Sequence, residues 1–336
     1  MTTGSDPFLI QRMWARGDAL FGGVLLASVI AVAALFLSGH YGAPAMLFAL
    51  LIGMAFHFLS DNDRCGAGID FASRTLLRAG VALLGLQLSV QDVTRVGVGS
   101  LAAVVGFVFG IFALGAALSY LGGRRMAFGM LAGGSVAICG ASAALAITSV
   151  LPPSPDREKD ALFVVIGVTT LSTIAMIVYP ILFRSLGLGD LDSGFLIGAT
   201  IHDVAQVVGA GYSISDEAGV VATFVKMVRV ALLPVVMLVV MLSFRNAQSQ
   251  RITLPWFLGV FLVLAVLANT GVIPAVVSEA LAVVSRWCLV ISISALGVKT
   301  SLGAIAKVQP FYAVILIVET IALLAVAVGF VMITSG

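Results

Sequence analysis

The chain has 336 residues, 60% of them hydrophobic and 10% charged, with a formal net charge of +2. An average soluble protein carries roughly 25% charged residues, so this composition excludes a soluble enzyme or binding module and predicts an all-α integral membrane protein. The few basic residues are scattered, which gives no footprint for nucleic acid.

Eleven apolar stretches are long enough to be read as membrane spans, a crossing taking about 20 apolar residues as helix. They fall at 19–38, 43–60, 68–90, 98–121, 127–150, 160–185, 193–212, 217–243, 254–271, 274–300 and 308–333. Residues 1–18 are too charged for a signal-peptide core and are expected to form a short cytoplasmic lead-in. Residues 19–336 then form one polytopic domain. The runs lack the short alternating pattern of barrel strands.

Loop charge gives the expected orientation, since Lys and Arg stay on the cytoplasmic side. With the N-terminus inside, cytoplasmic segments hold Arg12, Arg16, Arg64, Arg124, Arg125, Arg184, Arg245, Arg251 and Lys307. Arg95, Arg157 and Lys159 fall on the other side. Nine against three predicts N-terminus in and C-terminus out. Cys65, Cys139 and Cys288 show no paired spacing and only three histidines accompany them, so neither a metal site nor a disulfide framework is expected.

Spans three and ten carry a repeat. The segment 73–89, "SRTLLRAGVALLGLQLS", matches 285–301, "SRWCLVISISALGVKTS", at a constant offset that aligns Ser73 with Ser285, Arg74 with Arg286, Gly85 with Gly297 and Ser89 with Ser301. Arg95 and Lys307 continue the register. An odd separation in span number predicts opposite directions through the bilayer, and inverted repeats characterise secondary transporters. Chance similarity between apolar helices is the plainer alternative.

Span five contains "GGSVAICGASAALA" (133–146). Helix-weakening residues at membrane depth survive only where protein buries the freed backbone or it lines a cavity. Gly134, Ser135, Cys139, Gly140 and Ser142 are therefore candidates for a binding site at a broken helix, whose free N–H groups suit an anion. Close helix packing by small residues explains the same composition.

Span seven, "GATIHDVAQVVGAG" (198–211), places His202, Asp203 and Gln206 in an apolar stretch, at spacings that let them share a helix face. Ionisable residues at membrane depth point to function, and Asp203 with His202 are candidates to carry a coupling proton or sodium ion. A short re-entrant element is the alternative for this segment.

Span eight, "FVKMVRVALLPVV", carries Lys226 and Arg229 three apart on one face. Arg74, Arg78, Arg286 and Lys299 are also basic residues within spans, against Asp203, Glu279 and Glu319, so positive charge is in excess. Arg74, Arg286 and Lys299 suit snorkelling to an interface. Arg78, Lys226 and Arg229 read as deeper, and fixed cations in a cavity attract an anion. Structural pairing, with Glu319 as a partner, is the alternative.

These three segments, in this order, resemble the YeiH family of bacterial inner-membrane proteins labelled sulfate exporters, and the resemblance covers nearly the whole chain. It implies a ten- or eleven-helix fold similar to bile-acid/sodium symporters and sodium/proton antiporters, with interleaved scaffold and transport domains and crossed broken helices. It also implies elevator-type alternating access and a homodimer in the inner membrane. The second broken helix is either the His202 segment or "ISISALGVKTS".

The resulting expectation is a secondary transporter of a small anion: sulfate, sulfite or a small organic sulfonate. Ser135, Cys139, Gly140 and Ser142 contact it, Lys226 and Arg229 supply positive potential, and Asp203 with His202 couple transport to protons or sodium. No other cofactor is expected. A cation/proton antiporter with Asp203 as the exchanging carboxylate is the rival. The motifs of hydrolytic enzymes and the Walker loop are missing from the sequence.

Overall fold

The computed structural model describes residues 7–41, 44–60, 62–122, 126–244, 255–300 and 310–334. Arg124, Arg125, Arg245, Arg251, Ser301 and Lys307, which carry part of the orientation count and of the repeat, lie outside the described residues. All regular elements among the described residues are helical. Among the described residues, six helices are long and apolar enough to cross a membrane: Ala19–Tyr41, Val90–Leu121, Arg157–Ser185, Asp216–Ser243, Ala275–Lys299 and Ala313–Thr334. The chain is an all-α, multi-pass membrane protein.

The chain divides into two compact units. Unit 1 contains α1 (Pro7–Tyr41), α2 (Ala45–Ala55), α3 (Gly66–Phe71), a π-helical turn (Ala72–Leu76), α4 (Leu77–Leu84, its last residue at the unit boundary) and α14 (Ala275–Lys299). Because α1 begins at Pro7, the last two thirds of the expected lead-in are helix continuous with the first span. Ala27, Ile30, Ile69, Ala72, Ala295 and Val298 form its core.

Up to Leu83 the repeat pair lies within unit 1, and there its members run antiparallel. Lys299 pairs with Asp70, whereas Ser285 Oγ donates to the Gly80 carbonyl at 2.7 Å. Contact positions thus fall on α14 as they rise on α3–α4. Arg74 and Arg286 are exposed, and so is Arg78, against the deep placement read from the sequence. Arg78 sits on the outer face of α4, where no buried partner is required.

Unit 2 holds α5 (Val90–Leu121), α6 (Met126–Ala137), α7 (Ala141–Val150), α8 (Arg157–Ser185), α9 (Asp190–Thr200) and α10 (Val204–Tyr212). It continues with α11 (Asp216–Ala231), α12 (Leu233–Ser243), α13 (Trp256–Asn269) and α15 (Pro310–Thr334). Local chemistry sets several boundaries. Ser89 and Asp92 form a reciprocal capping box on α5, and the Ser215 side chain caps α11.

Two expected spans do not cross. Residues 127–150 form α6 and α7, and Gly134, before the break, packs directly on the Ile147 side chain beyond it. A continuous helix would hold these positions about 20 Å apart. The chain therefore reverses at Ile138–Gly140 and α7 returns along α6.

Residues 193–212 behave likewise. Arg184, in the last turn of α8, donates to the Ile214 carbonyl just past α10 at 2.9 Å, and α9 starts five residues after α8 ends. Both ends of the α9–α10 pair thus lie at one end of unit 2. Methyl groups built on Gly194 and Gly211 would approach the same Ala218 carbonyl, at 2.8 and 3.1 Å. α6–α7 and α9–α10 are re-entrant hairpins. The other candidate for a second break fails, since α14 is continuous through Lys299.

Candidate functional site

The hairpins enter unit 2 from opposite ends and their tips meet. The α6–α7 tip is Ile138, Cys139 and Gly140; the α9–α10 tip is Ile201, His202 and Asp203. His202 Nδ1 lies 3.1 Å from the Val136 carbonyl, and a methyl on Gly140 would stand 3.4 Å from His202 Cβ. Tip meets tip, in place of two crossing helices.

Gly140 makes the first reversal possible. Its φ of 61° and ψ of −125° lie where side chains are strained, and its N–H donates to the Ser135 carbonyl at 2.8 Å. At the second tip Asp203 is the N-cap of α10, its Oδ1 accepting from the Ala205 N–H at 2.8 Å. That is the ordinary chemistry of an N-cap carboxylate.

Lys226 and Arg229 on α11 close the ends of the two incoming arms. Lys226 Nζ donates to the carbonyls of Ile138 at 2.5 Å and Ile201 at 2.9 Å. Arg229 Nε donates to Ala137 at 2.8 Å and one Nη to Val136 at 2.8 Å, while the other Nη reaches Gly198 and Ile201, both at 2.9 Å. Both side chains are fully buried. The last carbonyls of a helix have no partner within it and carry the negative end of its dipole. Two cations are placed where two such ends converge.

Glu319 does not pair with them. It is fully buried and neither carboxylate oxygen has a hydrogen-bond partner. The carbonyls already satisfy most of the cations' donors: two of three hydrogens on Lys226 and four of five on Arg229.

The other candidates divide by burial. Gly134, Ser135, Cys139 and Gly140 are buried, and the Ser135 hydroxyl is engaged with the Leu131 carbonyl at 2.5 Å. Ser142, in the first turn of α7, is exposed, and Asp203 is half-buried. No side chain caps α7. The residues that begin the outgoing arms, Ala141, Ser142, Asp203 and Val204, are thus less buried than those that end the incoming arms.

His202, Asp203 and Gln206 do not share a helix face, because the first two belong to the tip that precedes α10. Gln206 Nε2 donates to Thr173 Oγ1 at 2.8 Å, and the Asp203 N–H donates to Ser172 Oγ at 3.1 Å. His202 Nε2 lies 3.0 Å from Thr320 Oγ1. A carbonyl only accepts, so Nδ1 carries the hydrogen facing Val136. The Thr320 hydroxyl has one hydrogen for two neighbours, Nε2 and the Leu316 carbonyl at 2.7 Å. Which of them receives it depends on whether His202 is neutral or doubly protonated.

Sequence reasoning missed Ser172, Thr173 and Thr320. The cluster "TTLST" at 169–173, four hydroxyl residues within a span, was the available signal for the first two.

Residues 22–316 match the family model described as conserved hypothetical protein 698. The chain belongs to this family. Among its relatives, the UPF0324 membrane protein of Chlorobaculum tepidum is 46% identical, covering 95% of this chain and 91% of its own length. The UPF0324 membrane protein TauZ of Paracoccus denitrificans is 46% identical over 90% of this chain and 92% of the relative. A UPF0324 membrane protein of Rhizobium meliloti is 44% identical over 89% of each. Membership of UPF0324 agrees with the resemblance drawn from the three motifs. No solved structure matches the chain significantly.

Proposed function

We propose that the protein is a secondary active transporter of a small anion, with sulfate, sulfite and small organic sulfonates as its substrate class. The observation that carries this reading is the charge balance at the hairpin tips. The two incoming arms each present about half a negative charge and the two outgoing arms about half a positive one, which cancel. Lys226 and Arg229 add two positive charges, and an ionised Asp203 removes one. With His202 neutral, about one positive charge is left for an anion to neutralise.

In this reading the anion binds at the uncapped start of α7, on the first-turn N–H groups beside Ser142. Gly134, Ser135, Cys139 and Gly140 shape the tip. Lys226 and Arg229 hold the tips together and supply field more than direct contact, since one hydrogen remains free on each. Asp203, with His202 and Gln206 behind it, is the coupling group: a proton or sodium ion there raises the positive charge available to the anion.

Alternating access would be of the elevator type, with unit 2 as the carrying body, in a homodimer of the bacterial inner membrane. The hairpins support the proposed orientation. Two re-entrant segments place Arg157 and Lys159 at the end of unit 2 where α5 finishes and move Arg184 to the other. The sequence count of nine against three gains two residues on one side and loses one, becoming ten against two. The side of Arg157 is then cytoplasmic and the C-terminus periplasmic.

Thermal unfolding of the detergent-purified protein against sulfate, sulfite, thiosulfate, taurine and dicarboxylates tests the reading. Saturation at a hundred times the dissociation constant adds about 2.7 kcal/mol. A selective shift with one sulfur anion, lost in Lys226→Gln, is expected. Stabilisation by sodium or pH alone, indifferent to every anion, would make the cation/proton antiporter with Asp203 as exchanging carboxylate the better reading.

A further inference from the structure

Glu319 lies near the middle of α15, fully buried, with neither carboxylate oxygen hydrogen-bonded. The seam facing it is made of glycine. A methyl built on Gly115 of α5 would stand 2.5 Å from Glu319 Oε1 and 2.6 Å from the carbonyl oxygen of Gly129 on α6, so these two oxygens lie within about 5 Å of one another. An ionised carboxylate would therefore face a carbonyl oxygen with no hydrogen-bond donor to either of its own oxygens. Burying a charge under those conditions is far more costly than burying a neutral carboxylic acid. An added hydrogen would also give the pair of oxygens the donor it lacks.

Among the described residues, the surrounding elements offer no counter-charge. α6 has no titratable side chain among its described residues. On α5, Asp92 is bonded to Ser89 and Arg95 is ion-paired with Glu217, both beyond the kink at Gly97, which is itself about 27 Å along the helix from Gly115; Tyr120 is exposed. Leu316, one turn before Glu319, packs on Gly167 of α8, which puts Lys159 and Asp160 about 10 Å further along that helix. Asp190 and Asp192 occupy the first turn of α9, at its outer end. Lys226 and Arg229 are held by carbonyls. The titratable group connected to this stretch is His202, bonded to Thr320, the next residue along.

We infer that Glu319 is a proton-binding site: its carboxyl holds a proton while the glycine seam between α5, α6 and α15 is closed, and exchanges it when the α6–α7 hairpin shifts and admits water. Glu319 then carries a coupling proton beside the tips, and Thr320 connects its helix to His202. This coupling role rests on the transporter reading, whereas the bound proton does not.

Infrared difference spectra of wild type minus Glu319→Gln at neutral pH read the proton directly. A carbonyl stretch of a protonated carboxylic acid, absent from the variant, is expected; ionised carboxylate stretches in its place would overturn the inference. Glu319→Met provides the same subtraction should the Gln variant fail to fold. In proteoliposomes, radiolabelled sulfate and sulfite flux should respond to an imposed pH gradient in wild type and respond less in Glu319→Gln, where Asp203 is left as the proton-binding group. An unchanged response would overturn the coupling role. If wild type moves neither anion, the substrate reading falls, and the infrared band still decides whether Glu319 holds a proton.

Discussion

Lys226 and Arg229, one helical turn apart on α11, donate to the same oxygen, the carbonyl of Ile201, each at 2.9 Å. Each also reaches across to the other hairpin, Lys226 to Ile138 and Arg229 to Val136 and Ala137. Two charges of one sign thus share an acceptor, and the cost of bringing them together is offset by the negative ends of two helices. The tips are held by these cations, so their removal strands buried carbonyls.

Arg229→Met is therefore expected to destabilise the protein by about 3 to 5 kcal/mol, the range for removing one partner from a buried charged network. Arg229→Lys should fall between the variant and wild type, because an ammonium cannot reproduce the planar fork of donors. Thermal unfolding in detergent measures both; equal stability of Arg229→Met and wild type would contradict the capping role.

Gly140→Ala should cost about 1 to 3 kcal/mol through backbone strain. A methyl there would meet His202 Cβ at 3.4 Å, a tolerable approach, so the loss comes from the φ of 61° and not from a clash. An alanine variant as stable as wild type would show that the tip does not need this conformation.

The α5–α6 seam predicts a contrast between two glycines. Gly129→Ala drives its new methyl into the Gly115 carbonyl and to 2.6 Å from Ser119 Cβ, and should destabilise by about 1 to 3 kcal/mol. Gly106→Ala, on the same helix pair but with nothing within 4 Å, should be neutral or stabilising by up to about 1 kcal/mol. Similar effects at both positions would argue against close contact of these helices.

Topology can be read by labelling single cysteines in a background lacking Cys65, Cys139 and Cys288. Tyr120→Cys and Glu158→Cys flank the first hairpin on exposed positions and should react with an impermeant reagent from the same side. Gly189→Cys, at the entrance to the second hairpin, should react from the opposite side. Were 127–150 a single crossing, Tyr120→Cys and Glu158→Cys would label from different sides.

Much of this arrangement is legible in the sequence. Apolar length sets the helices, and the out-of-place polar groups in 133–146, 198–211 and 224–236 mark segments that meet around one point. The direction in which the chain leaves a break is not legible. A glycine that permits a kink also permits a reversal, and residues 127–150 are numerous enough to cross once as readily as to turn back. The reversal is decided by partners far away in sequence: Ile147 returning onto Gly134, and Arg184 holding Ile214. Lys226 and Arg229 look like ligand contacts in the sequence for a similar reason, because unpaired backbone carbonyls leave no trace in side-chain identity. Glu319 looks like their partner only until the glycine seam around it is seen.

Hairpin arms also constrain how the protein is made. α6 and α7 have 12 and 10 residues, or about 18 and 15 Å of helix, roughly half a hydrocarbon core of about 30 Å. Both hairpins leave the ribosome before α11, so a nascent chain that has just finished α10 leaves the carbonyls of Ala137, Ile138, Gly198 and Ile201 without the side-chain donors they meet in the folded chain. Burial of both hairpin tips is thereby tied to the arrival of Lys226 and Arg229, which makes the delivery of α11 the step that completes the interior of unit 2.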